Sequence, residues 1–144
     1  MKSIEILMAE DSPSDAELAR EALINGKLSN KLNVVTNGQE ALDYLHKRGK
    51  FASANTPDLI LLDINMPIKN GFEVLTELKA DEKLRRIPVV VLTTSEDEHD
   101  VLKSYDLQAA CFITKPVNFT KFQDIVKQLK NFWFSVVTLP PNGR

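Results

Sequence analysis

Five polar residues of types that can do chemistry stand where short apolar runs of the sequence end. Glu10 and Asp11 follow the first run, Asp63 follows the third, Thr93 the fourth and Lys115 the fifth. Carboxylates that lie close together repel one another unless a cation sits among them. Hard oxygen ligands favour Mg2+, which keeps waters and an open position for phosphate. With a lysine and a hydroxyl nearby, such a group can surround a phosphoryl group in transit, because that transfer depends on positioning and charge neutralisation.

Each of these residues also has an ordinary structural explanation when it is taken alone. Asp63 at a strand end is as easily a solvated residue as a functional one, and Glu10 with Asp11 could simply cap the following helix. Lys115 alone would be a surface lysine, and Thr93 alone an ordinary strand residue. The combination on four different strands is far harder to obtain by chance, so the pattern favours a functional site.

The elements that must bring these residues together alternate between strands and helices. Apolar runs predict five strands, over 4–9, 32–36, 59–62, 89–92 and 110–114. Apolar residues at helical spacing follow each run, from Pro13 to Gly26 in the first case and from Phe122 to Trp133 in the last. Five β-α units predict an α/β fold, with a parallel sheet covered by helices on both faces. In such sheets ligands bind outside the carboxyl ends of the strands.

The overall composition excludes several other classes of protein. The chain has 144 residues, 43% hydrophobic and 26% charged, with a formal net charge of -2, which predicts one globular domain and gives no reason to expect nucleic acid or acidic lipid as a partner. The single cysteine, Cys111, allows no internal disulfide and indicates a reducing compartment. No apolar run approaches the roughly 20 residues of a membrane span. We therefore expect a cytoplasmic protein.

Together, Glu10-Asp11, Asp63-Ile64-Asn65-Met66-Pro67, Thr93 and Lys115-Pro116 resemble the receiver domain of two-component response regulators, over residues 4 to about 131. The resemblance implies a doubly wound, flavodoxin-like sheet with strand order 2-1-3-4-5. It also implies that Asp63 accepts a phosphoryl group from a sensor histidine kinase. Mg2+ would be bound by Glu10, Asp11, Asp63 and the backbone carbonyl of Asn65.

The same resemblance assigns roles to residues of the fourth and fifth strands. Thr93 would hydrogen-bond a phosphoryl oxygen and Lys115 would pair with it, while the peptide between Lys115 and Pro116 would be cis. Phe112 occupies the position of the family's switch aromatic residue, so phosphorylation would draw the Thr93 hydroxyl inward and let Phe112 turn. The alternative for Phe112 is a permanently buried core residue. Thr94 competes with Thr93 for the hydroxyl role, but Thr93 directly ends the apolar run.

The C-terminal region is similar to the single-domain response regulators that partner cyanobacterial phytochrome histidine kinases. Phe132-Trp133 followed by Val137-Thr138-Leu139-Pro140 carries this finer resemblance. We expect residues 1–131 to form the receiver domain and 132–144 an extension, without an output domain. A helix buries one face against its sheet, so Phe132, Trp133 and Phe134 on consecutive positions predict an apolar interface and a homodimer. The tail could instead fold back over the chain's own sheet, or the kinase could be the only partner of this surface.

Two other functions compete with a phospho-accepting receiver. Dehalogenase-type phosphatases also use an aspartate nucleophile at a strand end, but as a family they need a second aspartate two residues later, where this chain has Asn65. A nucleotide-binding protein is less favoured still, because neither glycine-rich motif of such proteins, G-x-G-x-x-G or G-x-x-x-x-G-K-[ST], follows a predicted strand. A docking module that works without phosphorylation would usually lack part of the acidic site, which is complete here. We therefore expect a phospho-acceptor rather than an enzyme acting on external substrates.

Overall fold

The computed structural model describes residues 4–25, 30–94, 111–118, 120, 121 and 124. Its five strands are β1 (Ile4–Ala9), β2 (Asn30–Val35), β3 (Leu59–Asp63), β4 (Val89–Thr93) and β5 (Cys111–Thr114). All neighbouring pairs are parallel, in the order β2-β1-β3-β4-β5. The α/β class and the 2-1-3-4-5 order predicted from the sequence are therefore confirmed.

Three helices and two short 3-10 turns have defined bounds. The helices are α1 (Pro13–Asn25), α2 (Gly38–Leu45) and α3 (Gly71–Ala80), and the turns span Gly49–Phe51 and Leu84–Arg86. The helix predicted after Ser95, most of the last helix and the extension over 132–144 lie outside the described residues. Among the helices of the described residues, none has the length and apolar character to cross a membrane.

Alternate residues of the central strands enter two separate hydrophobic layers. Ile60 and Leu62 of β3 pack in the layer that also holds buried residues of α2 and α3, whereas Leu59 and Leu61 pack in the layer that holds α1. All of them are buried, because helices cover both faces of the sheet. This explains why β3 and β4 read as uninterrupted apolar runs.

The loop after β3 is held tightly against the strand that carries Asp63. The amide of Gly71 donates a hydrogen bond of 2.9 Å to the carbonyl of Ile64. A Cβ at position 71 would collide with the carbonyl oxygen of Asp63, so only glycine allows this approach. Asn70 and Glu73 form a reciprocal capping box at the start of α3. The carboxyl end of β3 is therefore fixed by the start of the next helix.

Candidate functional site

Two carboxylates are buried side by side at the carboxyl ends of β1 and β3. Glu10 and Asp63 are each 1% exposed, whereas Asp11 between Glu10 and α1 is exposed. The amide of Glu10 donates to the carbonyl of Val35 at 2.9 Å, which extends the pairing of β1 with β2. The amide of Ser12 donates to Glu10 Oε2 at 3.1 Å. Carboxylate oxygens of Glu10, Asp11 and Asp63 lie within 4.8 Å of one another.

Lys115, which follows β5, places its ammonium among these carboxylates. Its Nζ lies 3.1 Å from Glu10 Oε1, 3.1 Å from Asp63 Oδ2 and 3.2 Å from Asp15 Oδ2. The backbone brings it there because its amide donates to the carbonyl of Thr93 at 2.7 Å. The pairing of β5 with β4 therefore delivers the lysine to the acidic edge of the sheet.

Glu10, Asp63 and Lys115 hold their charges close together in a largely buried cluster. Burial, reinforced by the neighbouring Asp63 carboxylate, raises the pKa of Glu10 to about 7 from an ordinary value of 4.5. Burial by itself lowers the pKa of Lys115, but the Asp63 and Glu10 carboxylates outweigh it, so that the pKa of this lysine is raised. Lys115 therefore stays protonated, and an additional proton or cation at Glu10 is favoured.

Thr93, expected to contact the phosphoryl group, ends β4 at the same edge, whereas Phe112, the expected switch residue, lies within β5 opposite Val91. Thr93 is fully buried, and its hydroxyl lies 3.5 Å from the carbonyl of Ile113, at the limit of a hydrogen bond. Phe112 is half-buried and packs against the hydrophobic layer of α2 and α3. The amide of Asn65 donates to Asp63 Oδ1 at 3.3 Å. The peptide between Lys115 and Pro116 is cis.

The acidic cluster suits a hard divalent cation. Glu10 Oε1 is buried and accepts no well-directed hydrogen bond from the described residues, although Lys115 Nζ lies 3.1 Å away. The three grouped carboxylates of Glu10, Asp11 and Asp63 outnumber this single ammonium, and all their donor atoms are oxygens. Oxygen donors of this kind match magnesium or another hard divalent cation. The residues present therefore fit a metal ion.

Sequence reasoning missed two residues that take part in this site. Asp15 lies in the first turn of α1 and pairs with Lys115. Lys121 donates through Nζ to the carbonyls of Thr114 and Pro116, at 2.7 and 3.2 Å, and so holds the backbone on both sides of Lys115. The position of Asp15 in the first turn of the helix that follows Glu10 and Asp11 was a local signal of its proximity, whereas no pattern pointed to Lys121.

The fold and the acidic edge of the sheet define a receiver of the kind that accepts phosphate on aspartate. The family described as the response regulator receiver domain matches residues 6–127, most of the chain. The chain therefore belongs to this family. Its members are phospho-acceptors rather than classical enzymes, and they bind a divalent metal.

Several individual relatives of this chain are response regulators of phytochromes. The chain is 42% identical over 135 residues to response regulator Rcp1 of Synechocystis sp. strain PCC 6803, covering 94% of this chain and 92% of Rcp1. The structure of the phosphorylated cyanobacterial phytochrome response regulator RcpA is similar, with a TM-score of 0.78, 47% identity and coverage of 96% of this chain and 99% of that one. The Mn2+-bound form of Rcp1 gives a TM-score of 0.76, 42% identity and coverage of 95% and 99%. The resemblance to phytochrome response regulators is thereby confirmed.

Proposed function

We propose that this protein takes a phosphoryl group from a sensor histidine kinase onto Asp63, with Mg2+ bound beside it, and passes the signal on by changing shape. One observation carries the proposal. Asp63 is a buried carboxylate whose Oδ2 lies 3.1 Å from Lys115 Nζ and whose oxygens are grouped with those of Glu10 and Asp11. Family membership and the Mn2+-bound Rcp1 structure support the same assignment.

Glu10, Asp11, Asp63 and the backbone carbonyl of Asn65 would hold the metal. When bound, Mg2+ would neutralise charge on the phosphoryl oxygens and the carboxylates. Lys115 supplies a further positive charge beside Asp63, and the Thr93 hydroxyl is the donor for a phosphoryl oxygen. These groups position the phosphoryl group and neutralise its negative charge, which is most of what phosphoryl transfer requires.

The transfer itself needs only the carboxylate of Asp63 as nucleophile. One of its oxygens attacks phosphorus, an O–P bond forms, and the bond from phosphorus to the imidazole nitrogen of the donor breaks. The electron pair of that bond leaves with the imidazole, and the product is an acyl phosphate. Water later attacks the phosphorus and returns Asp63 and inorganic phosphate. Asn65 can neither give nor take a proton, so turnover of external phosphate esters is not expected.

The kinase partner in this proposal is of the phytochrome type. Its support comes from the relatives, since RcpA is named as a cyanobacterial phytochrome response regulator. A location in the cytoplasm and the lack of direct nucleic-acid binding stay predictions.

Self-association is a separate part of the proposal. We infer a homodimer from Phe132, Trp133 and Phe134 on consecutive positions of the sequence, because aromatic residues are favoured interface anchors. These three residues lie outside the described part of the chain, so the inference rests on their sequence and on the resemblance.

Incubation with acetyl phosphate tests the acceptor directly. Intact mass should rise by one phosphoryl group when Mg2+ is present and stay unchanged when EDTA replaces it. Asp63→Asn should abolish the increase, whereas Asp43→Asn, on the surface of α2, should leave it intact. Phosphorylation of the Asp63→Asn protein at the wild-type yield would refute the assignment. Transfer from a phytochrome-type kinase prephosphorylated with ATP then tests the partner.

A further inference from the structure

The ammonium of Lys115 has no hydrogen left to offer an incoming phosphoryl group. Its Nζ donates to Asp63 Oδ2 at 3.1 Å, to Asp15 Oδ2 at 3.2 Å and to Glu10 Oε2 at 3.4 Å. A lysine ammonium has three N–H donors, so all three are engaged. Lys115 must therefore release one acceptor before it can bond a phosphoryl oxygen.

The three acceptors differ in what their release would cost. The side chains of Glu10 and Asp63 are 0% and 1% exposed, whereas that of Asp15 is 31% exposed. Unless a metal ion replaces the lysine, a buried carboxylate that loses this partner keeps the full cost of desolvation. Asp15 can exchange the lysine for water, so its bond is the one that yields most easily.

The carboxylate of Asp15 is not needed as the cap of α1. Ser12 performs that role, because its Oγ accepts a hydrogen bond of 3.3 Å from the amide of Asp15. A negative charge in the first turn does favour a helix, which is the simplest explanation for an aspartate here. That explanation does not account for the direct pair with Lys115, a residue 100 positions away.

We propose that Asp15 is a positioning residue, which holds Lys115 in the unphosphorylated state and opposes its transfer to the phosphoryl group. This inference rests on the proposed function, since it concerns the same lysine and the same phosphorylated aspartate. Asp15 thereby sets how readily the phosphorylated arrangement forms. It acts through Lys115 and need not touch the phosphoryl group.

The pair is tested first in the full chain without Mg2+ or phosphodonor. NMR of protein labelled with 13C-lysine reports the Cε resonance of Lys115, which is assigned by its loss in Lys115→Arg. We expect Asp15→Asn to shift this resonance and Asp15→Glu to return it towards the wild-type position. Glu17→Gln is the matched control, because it removes the same charge from an exposed position on α1 and should leave the resonance unmoved. A helix-stabilising role alone would not move it in any of these variants.

The restraint is tested next by titration with beryllofluoride, a phosphate mimic, at saturating Mg2+. We expect its apparent dissociation constant to fall about two- to fivefold in Asp15→Asn, as for loss of a part-exposed ion pair, and to stay unchanged in Glu17→Gln. If the Lys115 resonance does not move in Asp15→Asn, or moves equally in Glu17→Gln, Asp15 and Lys115 do not form the proposed pair. If the dissociation constant for beryllofluoride is unchanged or raised in Asp15→Asn, Asp15 does not oppose the transfer of Lys115 to the phosphoryl group. Failure of Asp63 to accept phosphate would overturn the proposed function but not the Mg2+-free NMR result.

Discussion

Lys115 Nζ lies 3.1 Å from Asp63 Oδ2, although 52 positions of sequence separate the two residues. The lysine side chain is 15% exposed and the aspartate 1%, so this contact joins two charges that are largely withdrawn from water. Glu10 shares the same ammonium. Among the residues that the structure describes, Lys115 is the cation that pairs with these buried carboxylates.

Replacing Lys115 with alanine should therefore destabilise the metal-free protein. Two buried carboxylates would lose their cation, so we expect the free energy of unfolding in EDTA to fall by about 3 kcal/mol. Urea denaturation measures this loss. Added Mg2+ should restore more stability to the variant than to the wild type, because the cation then replaces the missing charge.

The matched control is Lys69→Ala. Lys69 pairs with Glu77 at 2.7 Å on the surface, and exposed pairs contribute less than about 1 kcal/mol. An effect of Lys115→Ala no greater than that of Lys69→Ala would contradict the prediction.

The hydroxyl of Thr93 should couple phosphorylation to the side chain of Phe112. In Thr93→Val the shape is kept but the hydroxyl is lost, so we expect beryllofluoride with Mg2+ to bind without moving the ring resonances of Phe112. Aromatic 1H–13C NMR spectra measure this response. Thr94→Val, at the exposed neighbouring position, should respond like the wild type. If the Phe112 resonances stay fixed in the wild type too, Phe112 is permanent core and the switch is wrong.

Glu40 should make stability depend on pH at acidic values. Its carboxylate accepts hydrogen bonds from the amide and the hydroxyl of Thr36, at 3.0 and 3.1 Å, and pairs with Lys50 at 3.0 Å. The Thr36 amide and then Lys50 hold the pKa of Glu40 below its ordinary value of 4.5. A lowered folded-state pKa gives stability that is present above the unfolded-state value and is lost as pH falls through the folded-state value.

Glu40→Gln should therefore cost about 1 kcal/mol at neutral pH and nothing once the wild-type carboxylate is protonated. Thermal unfolding at neutral pH and at pH values well below 4.5 measures the difference, with Glu82→Gln as a control that removes one carboxylate from an exposed position. A Glu40→Gln penalty that persists unchanged in acid would show that the charge is not responsible.

Self-association should depend on the aromatic residues near the C-terminus. We expect light scattering to give the mass of a dimer for the wild type, and of a monomer for the combined Phe132→Ala, Trp133→Ala and Phe134→Ala variant. The physical reason is that large aromatic side chains supply most of the apolar area of such an interface. A wild-type protein that stays monomeric at high concentration, with or without beryllofluoride, rules out the homodimer.

The sequence alone determined the strands of the centre of the sheet and the polar residues at their ends. Predicted and observed bounds of β1 agree, and those of β3 and β4 differ by one residue, because strands buried on both faces are apolar at every position. The edge strand β2 begins and ends earlier than predicted. Its polar residues blur the pattern, and the amide of Thr36 is instead committed to Glu40 at the start of α2.

Only the tertiary structure decided how the residues of the site divide their tasks. Glu10 and Asp11 are neighbours in sequence, yet Glu10 is buried and Asp11 exposed, because the end of β1 turns towards α1. The contacts of Asp15 with Lys115 and of Lys121 with the backbone beside it depend on how the elements pack. Periodicity and residue type report local structure and which side of an element is buried, but distances between side chains on different elements exist only after those elements have packed together.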